Sequence, residues 1–378
     1  MKIVESVLRH CSREKPADAV LRAELRREAG LSPDLAASIA SAVFAFHRWR
    51  GWLDNARPIA ESVQEALELN ERFARDPASF HDAELLARAV PSWIAEQLEV
   101  TPAWIRALQQ EPRLWFRARI GRGADMASFL GDCRIPESPL LADAVEYRGR
   151  RDLFRTEAFH AGEFEVQDVS SQIVGLACNP QPGETWWDAC AGEGGKLLHL
   201  SDLMRNQGLI WASDRAEWRL RRLKLRAARA KAFNYRLAPW DGGEKLPTKT
   251  KFDGVLLDAP CTGLGTWRRN PHARWTTTPE DVRELAVVQA QLLRRVAGSV
   301  KPGGRLVYSV CTLTRAETIG VTAAFEEAFP EFESLPLANP LRPADAPAKH
   351  LWIWPQDDGN GMFIAAWTRK KERPPGNK

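Results

Sequence analysis

Two cysteines stand in turns that each follow an apolar run. Cys261 lies in Asp258-Ala259-Pro260-Cys261-Thr262-Gly263, after the run 255–257, and Cys311 lies in Tyr308-Ser309-Val310-Cys311-Thr312, at the end of the run 306–310. A thiolate is a strong nucleophile toward carbon, and a reference pKa of about 8.5 leaves a few per cent of a cysteine ionised at neutral pH. If both runs are strands of an α/β sheet, both thiols emerge at strand ends, where such folds bind ligands. The pair points to covalent catalysis on a substrate held beside a cofactor.

The cofactor is narrowed by what the upstream turn lacks. Trp187-Asp188-Ala189-Cys190-Ala191-Gly192-Glu193-Gly194-Gly195-Lys196 joins a predicted strand to a predicted helix, and its glycines allow close backbone approach to a ligand at a helix N-terminus. A Walker loop needs glycine at position 190 and Ser or Thr after Lys196, where Cys190 and Leu197 stand. The dinucleotide spacing also fails, because Leu197 occupies the place of the third glycine. A cofactor with ribose and adenine but no pyrophosphate remains. Asp214, at the end of the next predicted strand, is placed to accept ribose hydroxyl hydrogens, and Asp241 follows the strand after that. This combination predicts S-adenosylmethionine. For Asp214 the competing role is a helix cap, and both roles can coexist.

The other cysteines, Cys11, Cys133 and Cys178, read as small buried hydrophobes, and no Cys-x-x-Cys pair signals a metal, so none is expected. Six scattered cysteines and no signal-peptide core predict reduced thiols and a cytoplasmic protein. No apolar run is long enough to cross a membrane. A net charge of +4 is too small to establish nucleic-acid binding, so any such surface must be a local cluster. The chain is expected to act as a monomer. Fifteen tryptophans against three tyrosines predict core and interface roles for most of the indoles, with a minority free to stack on bases.

The elements that must position these residues follow from periodicity. Residues 1–110 carry apolar positions at spacings of three and four and read as an all-helical domain. Residues 111–160 read as a small α+β connector, with a strand at 114–120 and a short helix at 126–130. From 161 to 370 strands and helices alternate, which predicts a Rossmann-like, mostly parallel, doubly wound sheet. The basic, proline-containing end, 371–378, is expected to be disordered.

Five motifs then carry a resemblance: Phe164-x-Val166-Gln167-Asp168-x-Ser170-Ser171-Gln172, the turn from Asp188 to Lys196, the Asp258 to Gly263 turn, Arg268-Arg269-Asn270-Pro271, and Ser309-Val310-Cys311-Thr312. In order and spacing the chain resembles the RNA 5-methylcytosine methyltransferases of the Sun/Nop group, and its helical start is similar to that group's NusB-like RNA-binding domain. The resemblance implies an S-adenosylmethionine-dependent RNA cytosine-5 methyltransferase acting on ribosomal RNA. It implies Cys311 as the nucleophile that adds to cytosine C6, Cys261 as the thiol that assists release, and Asp258 on the cytosine edge. Cofactor contacts would come from Cys190, Ala191, Gly192, Glu193, Gly194, Gly195, Lys196, Asp214, Asp241 and Asp258. A Pro-Cys turn, the arrangement of DNA cytosine methyltransferases, would instead make Cys261 the nucleophile. The chain departs from the group at Gly192-Glu193, where Ala-Pro is usual, and at residues 316–319, where Glu317 alone remains of an acidic run.

For RNA, Arg268, Arg269, Asn270 and Trp275 combine guanidinium groups with an aromatic ring just beyond Cys261. Arg215, Arg219, Arg222, Arg226 and Arg229 fall on one helix face, either a phosphate-binding stripe or a solvated surface. The alternative to an enzyme is a methyltransferase-like RNA-binding or ribosome-assembly module with an altered cofactor turn.

Overall fold

The computed structural model describes residues 1–28 and 30–371, so all of the expected disordered end except Lys371 lies outside the described residues. The first 110 residues form six helices, Lys2–His10, Ala17–Arg27, Pro33–Arg48, Ile59–Arg75, Asp82–Arg88 and Pro102–Gln109, joined by short 3-10 turns. Their starts follow local chemistry. The Ser32 side chain accepts the Leu35 N–H with Pro33 at the first helical position, and Thr101 does the same for Trp104 ahead of Pro102. Ile39, Ala42, Val43 and Val63 face one another in the core of this layer.

The connector is an antiparallel sheet built from β1 (Leu114–Ala118), β2 (Cys133–Arg134), β3 (Ala144–Tyr147) and β4 (Phe164–Val166), in the order β2-β3-β1-β4. The expected boundary at 160 is corrected here: β4 pairs with β1, so the connector sheet closes only at Val166. Periodicity missed β2, β3 and β4 because they are two to four residues long, and β3 and β4 bury charge. Glu146 and Glu165 lie inside the sheet, held by Arg113, Arg134 and Arg148 and by Arg226 and Arg229, respectively.

The large sheet contains β5 (Thr185–Asp188), β6 (Leu209–Ala212), β7 (Tyr235–Leu237), β8 (Phe252–Asp258), β9 (Val300–Val310), β10 (Phe332–Ser334), β11 (His350–Ile353) and β12 (Met362–Arg369). Its order is β10-β12-β9-β8-β5-β6-β7, with β11 also on β12. Strands β5 to β9 run parallel, while β12 is antiparallel to β9 and to both β10 and β11. The expected Rossmann-like, mostly parallel sheet is therefore present. Both faces are covered. Helices Val169–Cys178, Gly195–Leu203 and Glu217–Arg229 pack on one side, and Pro279–Ala297 and Val321–Ala328 on the other. Trp186 and Trp187 enter opposite cores, and a Cβ at Gly254 would fall 2.2 Å from the Trp186 ring, so β8 needs glycine there to lie flat against the indole.

Eight of the fifteen tryptophans are buried, a small majority, in line with the core role expected for most of them. The helical layer and the large sheet share one of those cores: Trp49, Phe80, Ile94 and Trp104 pack with Leu264, Trp267 and Leu313. No helix among the described residues is long and apolar enough to cross a membrane.

Candidate active site

The chain winds outward from β5 through β6 to β7, then crosses to β8 on the other side of β5. The C-terminal ends of β5 and β8 thus flank a topological switch point, where a crevice must open. A cleft of about 650 Å³ lies there, within the size range of small-molecule sites. Its lining includes Cys190, Ala191, Gly192, Glu193, Gly195, Lys196, Asp214, Asp241, Asp258, Cys261 and Cys311. One expected contact is absent from the lining. Gly194, at φ 88°, serves helix packing, since a Cβ on it would meet Leu223 Cγ at 2.6 Å.

Asp214 has the dual role its position allowed. Its Oδ2 accepts the Gly192 N–H at 3.0 Å and its Oδ1 the Ala216 N–H at 2.8 Å, so one carboxylate fixes both the glycine turn and the next helix start. A carboxylate has about four lone-pair sites, so further acceptor capacity remains toward the cleft. Glu193 does not present a bare charge to the cleft, because its Oε1 accepts from Arg222 at 2.9 Å. Asp241 is exposed and takes the Gly243 N–H at 2.7 Å. Trp240, Val288 and Leu292 add apolar surface to the lining.

Sequence reasoning missed Asp188. It is 1% exposed, lines the cleft, and neither carboxyl oxygen has a hydrogen-bond partner among the described residues. Burial, then the nearby Asp258, push its carboxyl up to about 8, against the pull of Lys196. The signal was available: an Asp ending a strand that is apolar on both faces has few polar neighbours.

At the other end of the cleft the two thiols meet, with Cys261 Sγ 3.4 Å from Cys311 Sγ. Asp258 lies beside them, accepting from Lys196 Nζ at 2.6 Å and from Ser309 Oγ at 2.8 Å. The surroundings separate the thiols. Cys311 is shifted down, chiefly by the hydrogen bond from Cys261, with burial and Asp258 opposing and Lys196 and Arg269 assisting. Cys261 is shifted well up by that same contact, then by burial and by Glu317. Lys196 and Arg269 pull Cys311 down against Asp258, while Glu317 pushes Cys261 up, so the proton rests more readily on Cys261 than on Cys311. A reading in which Cys261, in its Pro-Cys turn, is the nucleophile has the electrostatics against it.

Glu317 holds the two cysteine turns together. Fully buried, it accepts from Thr262 N at 2.9 Å and Thr262 Oγ1 at 2.6 Å on one turn, and from Thr312 Oγ1 at 3.1 Å and Thr314 Oγ1 at 2.8 Å on the other. Gln289 completes the set by donating to Glu317 Oε1 and to Pro260 O, each at 2.9 Å.

The expected substrate contacts divide. Arg268 is buried and donates to Glu111 O, Pro355 O and Gln110 Oε1, and Trp275 Nε1 donates to His47 O at 2.6 Å. Both fasten the loop to its surroundings, which corrects the placing of Arg268 as a free phosphate ligand, while the Trp275 ring is half-buried. Asn270 precedes the helix Pro271–Thr276 with its Oδ1 buried and unpartnered among the described residues. Arg269 alone is exposed, and its charge acts on Cys311. Arg268→Ala should therefore cost about 3 kcal/mol of stability by leaving buried acceptors unpaired, whereas Arg269→Ala should leave the melting temperature unchanged. Calorimetric melting of both variants checks this contrast. The arginine stripe is corrected likewise: Arg226 and Arg229 are spent on Glu165, Arg222 on Glu193, and Arg219 lies 3.8 Å from Asp214. Arg226 and Arg229 thus tie the connector sheet to the catalytic layer, while Arg219 and Arg222 pair within the catalytic layer and stay about half exposed. Of the three cysteines expected to be buried, only Cys178 is; Cys11 and Cys133 are partly exposed.

A doubly wound sheet extended by an antiparallel β12 and an acid-lined crevice at its switch point define a Rossmann-like methyltransferase fold. Over residues 175–368 the sequence matches the family described as 16S rRNA methyltransferase RsmB/F, and the chain belongs to that family. It is 42% identical over 264 residues to the probable ribosomal RNA small subunit methyltransferase B of Synechocystis sp., covering 65% of this chain and 58% of that protein. The chain spans a little over half the length of such relatives. Among solved structures, that of PH0851 superposes with a TM-score of 0.75 at 23% identity, covering 97% of each chain. NSun6 from Pyrococcus horikoshii, solved with SFG, gives 0.63 at 20% identity, over 71% of this chain and 94% of that one. The full-length superposition extends the shared fold to the N-terminal helices.

Proposed function

We propose that this protein transfers a methyl group from S-adenosylmethionine to C5 of a cytosine in RNA, with ribosomal RNA as the substrate, through a covalent bond between Cys311 and C6. The observation that carries this reading is the 3.4 Å thiol pair beside Asp258 at the end of the cleft. Names of relatives at the level of ribosomal RNA methyltransferase support the substrate class, and the SFG-bound neighbour, solved with an analogue of S-adenosylmethionine, supports the cofactor.

The cleft fits that cofactor on its own terms. Asp188 supplies a buried, unpaired carboxyl for a cationic group, Asp214 has acceptor capacity for ribose hydroxyls, and Trp240, Val288 and Leu292 offer apolar surface to a purine. When bound, S-adenosylmethionine supplies an electrophilic methyl group. Because Asp188 must be ionised to meet a cation, affinity should rise by up to about tenfold per pH unit as pH climbs toward its raised pKa, and level off above it. Titration calorimetry between pH 6.5 and 8.5 checks this, and Asp188→Asn should flatten the dependence.

The protein's own groups account for the remaining steps. Cytosine C5 is a poor nucleophile until the Cys311 sulfur adds to C6, which breaks the C5–C6 double bond and moves an electron pair toward C5 and N3. As the electron pair arrives N3 takes a proton from solvent, and Asp258, held by Lys196 and Ser309, would accept from that N–H and from the exocyclic amine, holding the protonated adduct. Once C5 is methylated, its proton must leave; the electron pair re-forms the double bond and expels the Cys311 thiolate. Cys261 would take that proton as a thiolate, after releasing its own proton to solvent: the Cys311 contact, the first cause that holds the thiol protonated, disappears when Cys311 becomes a thioether, leaving burial and Glu317 to oppose the release. Arg269, exposed beside the thiols, would hold an RNA phosphate, and the NusB-like helical region would extend the RNA surface.

The test is direct. Purified protein, labelled S-adenosylmethionine and small-subunit ribosomal RNA should yield 5-methylcytidine after nuclease digestion and chromatography. Label in a ribose-methyl or N-methyl nucleoside would overturn the proposal, as would failure to bind S-adenosylmethionine at millimolar concentration, which would favour a non-catalytic RNA-binding module.

A further inference from the structure

Eleven positions beyond Cys261, the chain passes through His272, in the first turn of the helix Pro271–Thr276. Its imidazole meets two residues from the N-terminal layer: His47, in the last turn of Pro33–Arg48, and Cys11, at the C-terminal cap of Lys2–His10. One potential ligand atom from each lies within 4.8 Å of the other two. We infer that Cys11, His47 and His272 form a divalent-cation site of the zinc type, which clips the N-terminal helices to the segment that follows the Cys261 turn.

Three observations carry this. First, Cys11 Sγ and His47 Nε2 are 3.8 Å apart. Zinc bonds of about 2.3 Å to sulfur and about 2.0 Å to nitrogen set tetrahedral ligands roughly 3.5 Å apart, so the gap accepts an ion with a shift of a few tenths of an ångström. As a thiol–imidazole hydrogen bond the same contact is long. Second, His47 is 2% exposed and its other ring nitrogen has no partner among the described residues, so a buried imidazole is left with a single weak contact. Third, the donor set, one sulfur and two imidazole nitrogens, is selective: it suits zinc and disfavours magnesium and calcium. Three protein ligands leave a fourth position for water.

The charges around the cluster are Arg50 and Asp18. Arg50 acts on all three residues and Asp18 on His272; burial raises the Cys11 thiol, and Arg50 offsets part of that rise. Burial, assisted by Arg50, disfavours protonation of both histidines and so keeps their nitrogen lone pairs available. The simpler account is packing alone, since the two imidazoles also make an edge-on contact with centroids 4.7 Å apart. Three segments so far apart in sequence leave no spacing motif, which explains why no metal was expected from the sequence.

The experiment uses the full chain with Cys261 and Cys311 both replaced by serine, so that the other close thiol pair cannot bind metal. After chelation and dialysis, cobalt(II) should bind at one equivalent, with a near-ultraviolet sulfur-to-metal charge-transfer band and intense visible bands of a tetrahedral site. Zinc should displace it and raise the melting temperature by several degrees. Cys11→Ser should remove the charge-transfer band, and His272→Ala should weaken binding by roughly 100-fold or more. Absence of the band, or a band that survives Cys11→Ser, would overturn the site. Because the readout needs neither RNA nor methyl transfer, it stands apart from the proposed activity.

Discussion

Replacing Cys311 by alanine is expected to reduce methyl transfer to RNA by roughly 10⁴-fold or more, the loss that follows removal of a covalent nucleophile. The magnitude follows from the chemistry: without sulfur at C6 no electron density reaches C5. The cleft itself should persist. Cys311 is partly exposed at the end of β9, and its removal breaks the Cys261 contact but none of the hydrogen bonds that Glu317 makes. S-adenosylmethionine affinity should therefore change by less than about threefold, an energy below about 0.7 kcal/mol. Single-turnover transfer of labelled methyl, with calorimetry on the same sample, separates the two effects. Retention of more than about one per cent of the rate, a barrier increase below about 2.7 kcal/mol, would rule out the covalent role.

Replacing Cys261 has a different signature. Addition at C6 and methylation need only Cys311, so Cys261→Ala should complete one transfer and then stall before the C5 proton departs. Steady-state turnover should fall by roughly 10² to 10³-fold, the range of a lost acid–base group. A protein–RNA adduct carrying labelled methyl should survive denaturing electrophoresis. If Cys311→Ala traps the adduct and Cys261→Ala does not, the roles are reversed and Cys261 is the attacking thiol.

The sequence was most informative where a property is local. The alternation from β5 to β9, the two strand-end cysteine turns and the glycine turn before Lys196 each lie in one continuous segment, and the structure assembles them around one cleft. What depends on pairing across the chain was hidden. Arg268 reads as a free phosphate ligand until Glu111 and Pro355 are seen to occupy its guanidinium, and Arg226 and Arg229 read as a stripe until Glu165 lies against them. Asp188 reads as a turn residue, because its lack of a partner is a property of the folded surroundings. β3 and β4 escaped because buried Glu146 and Glu165 break the apolar signature of a strand.

The core shared between the N-terminal helices and the catalytic sheet bears on how the chain unfolds. Arg274, fully buried, donates to Ala89 O at 2.9 Å and Leu108 O at 3.0 Å, with Trp267 and Leu264 packed around the same seam. Separating the two parts would break these bonds and expose the apolar side chains of the shared core to water. The two regions therefore form a single cooperative unit, and heating should give one transition in which the N-terminal helices and the methyltransferase sheet melt together.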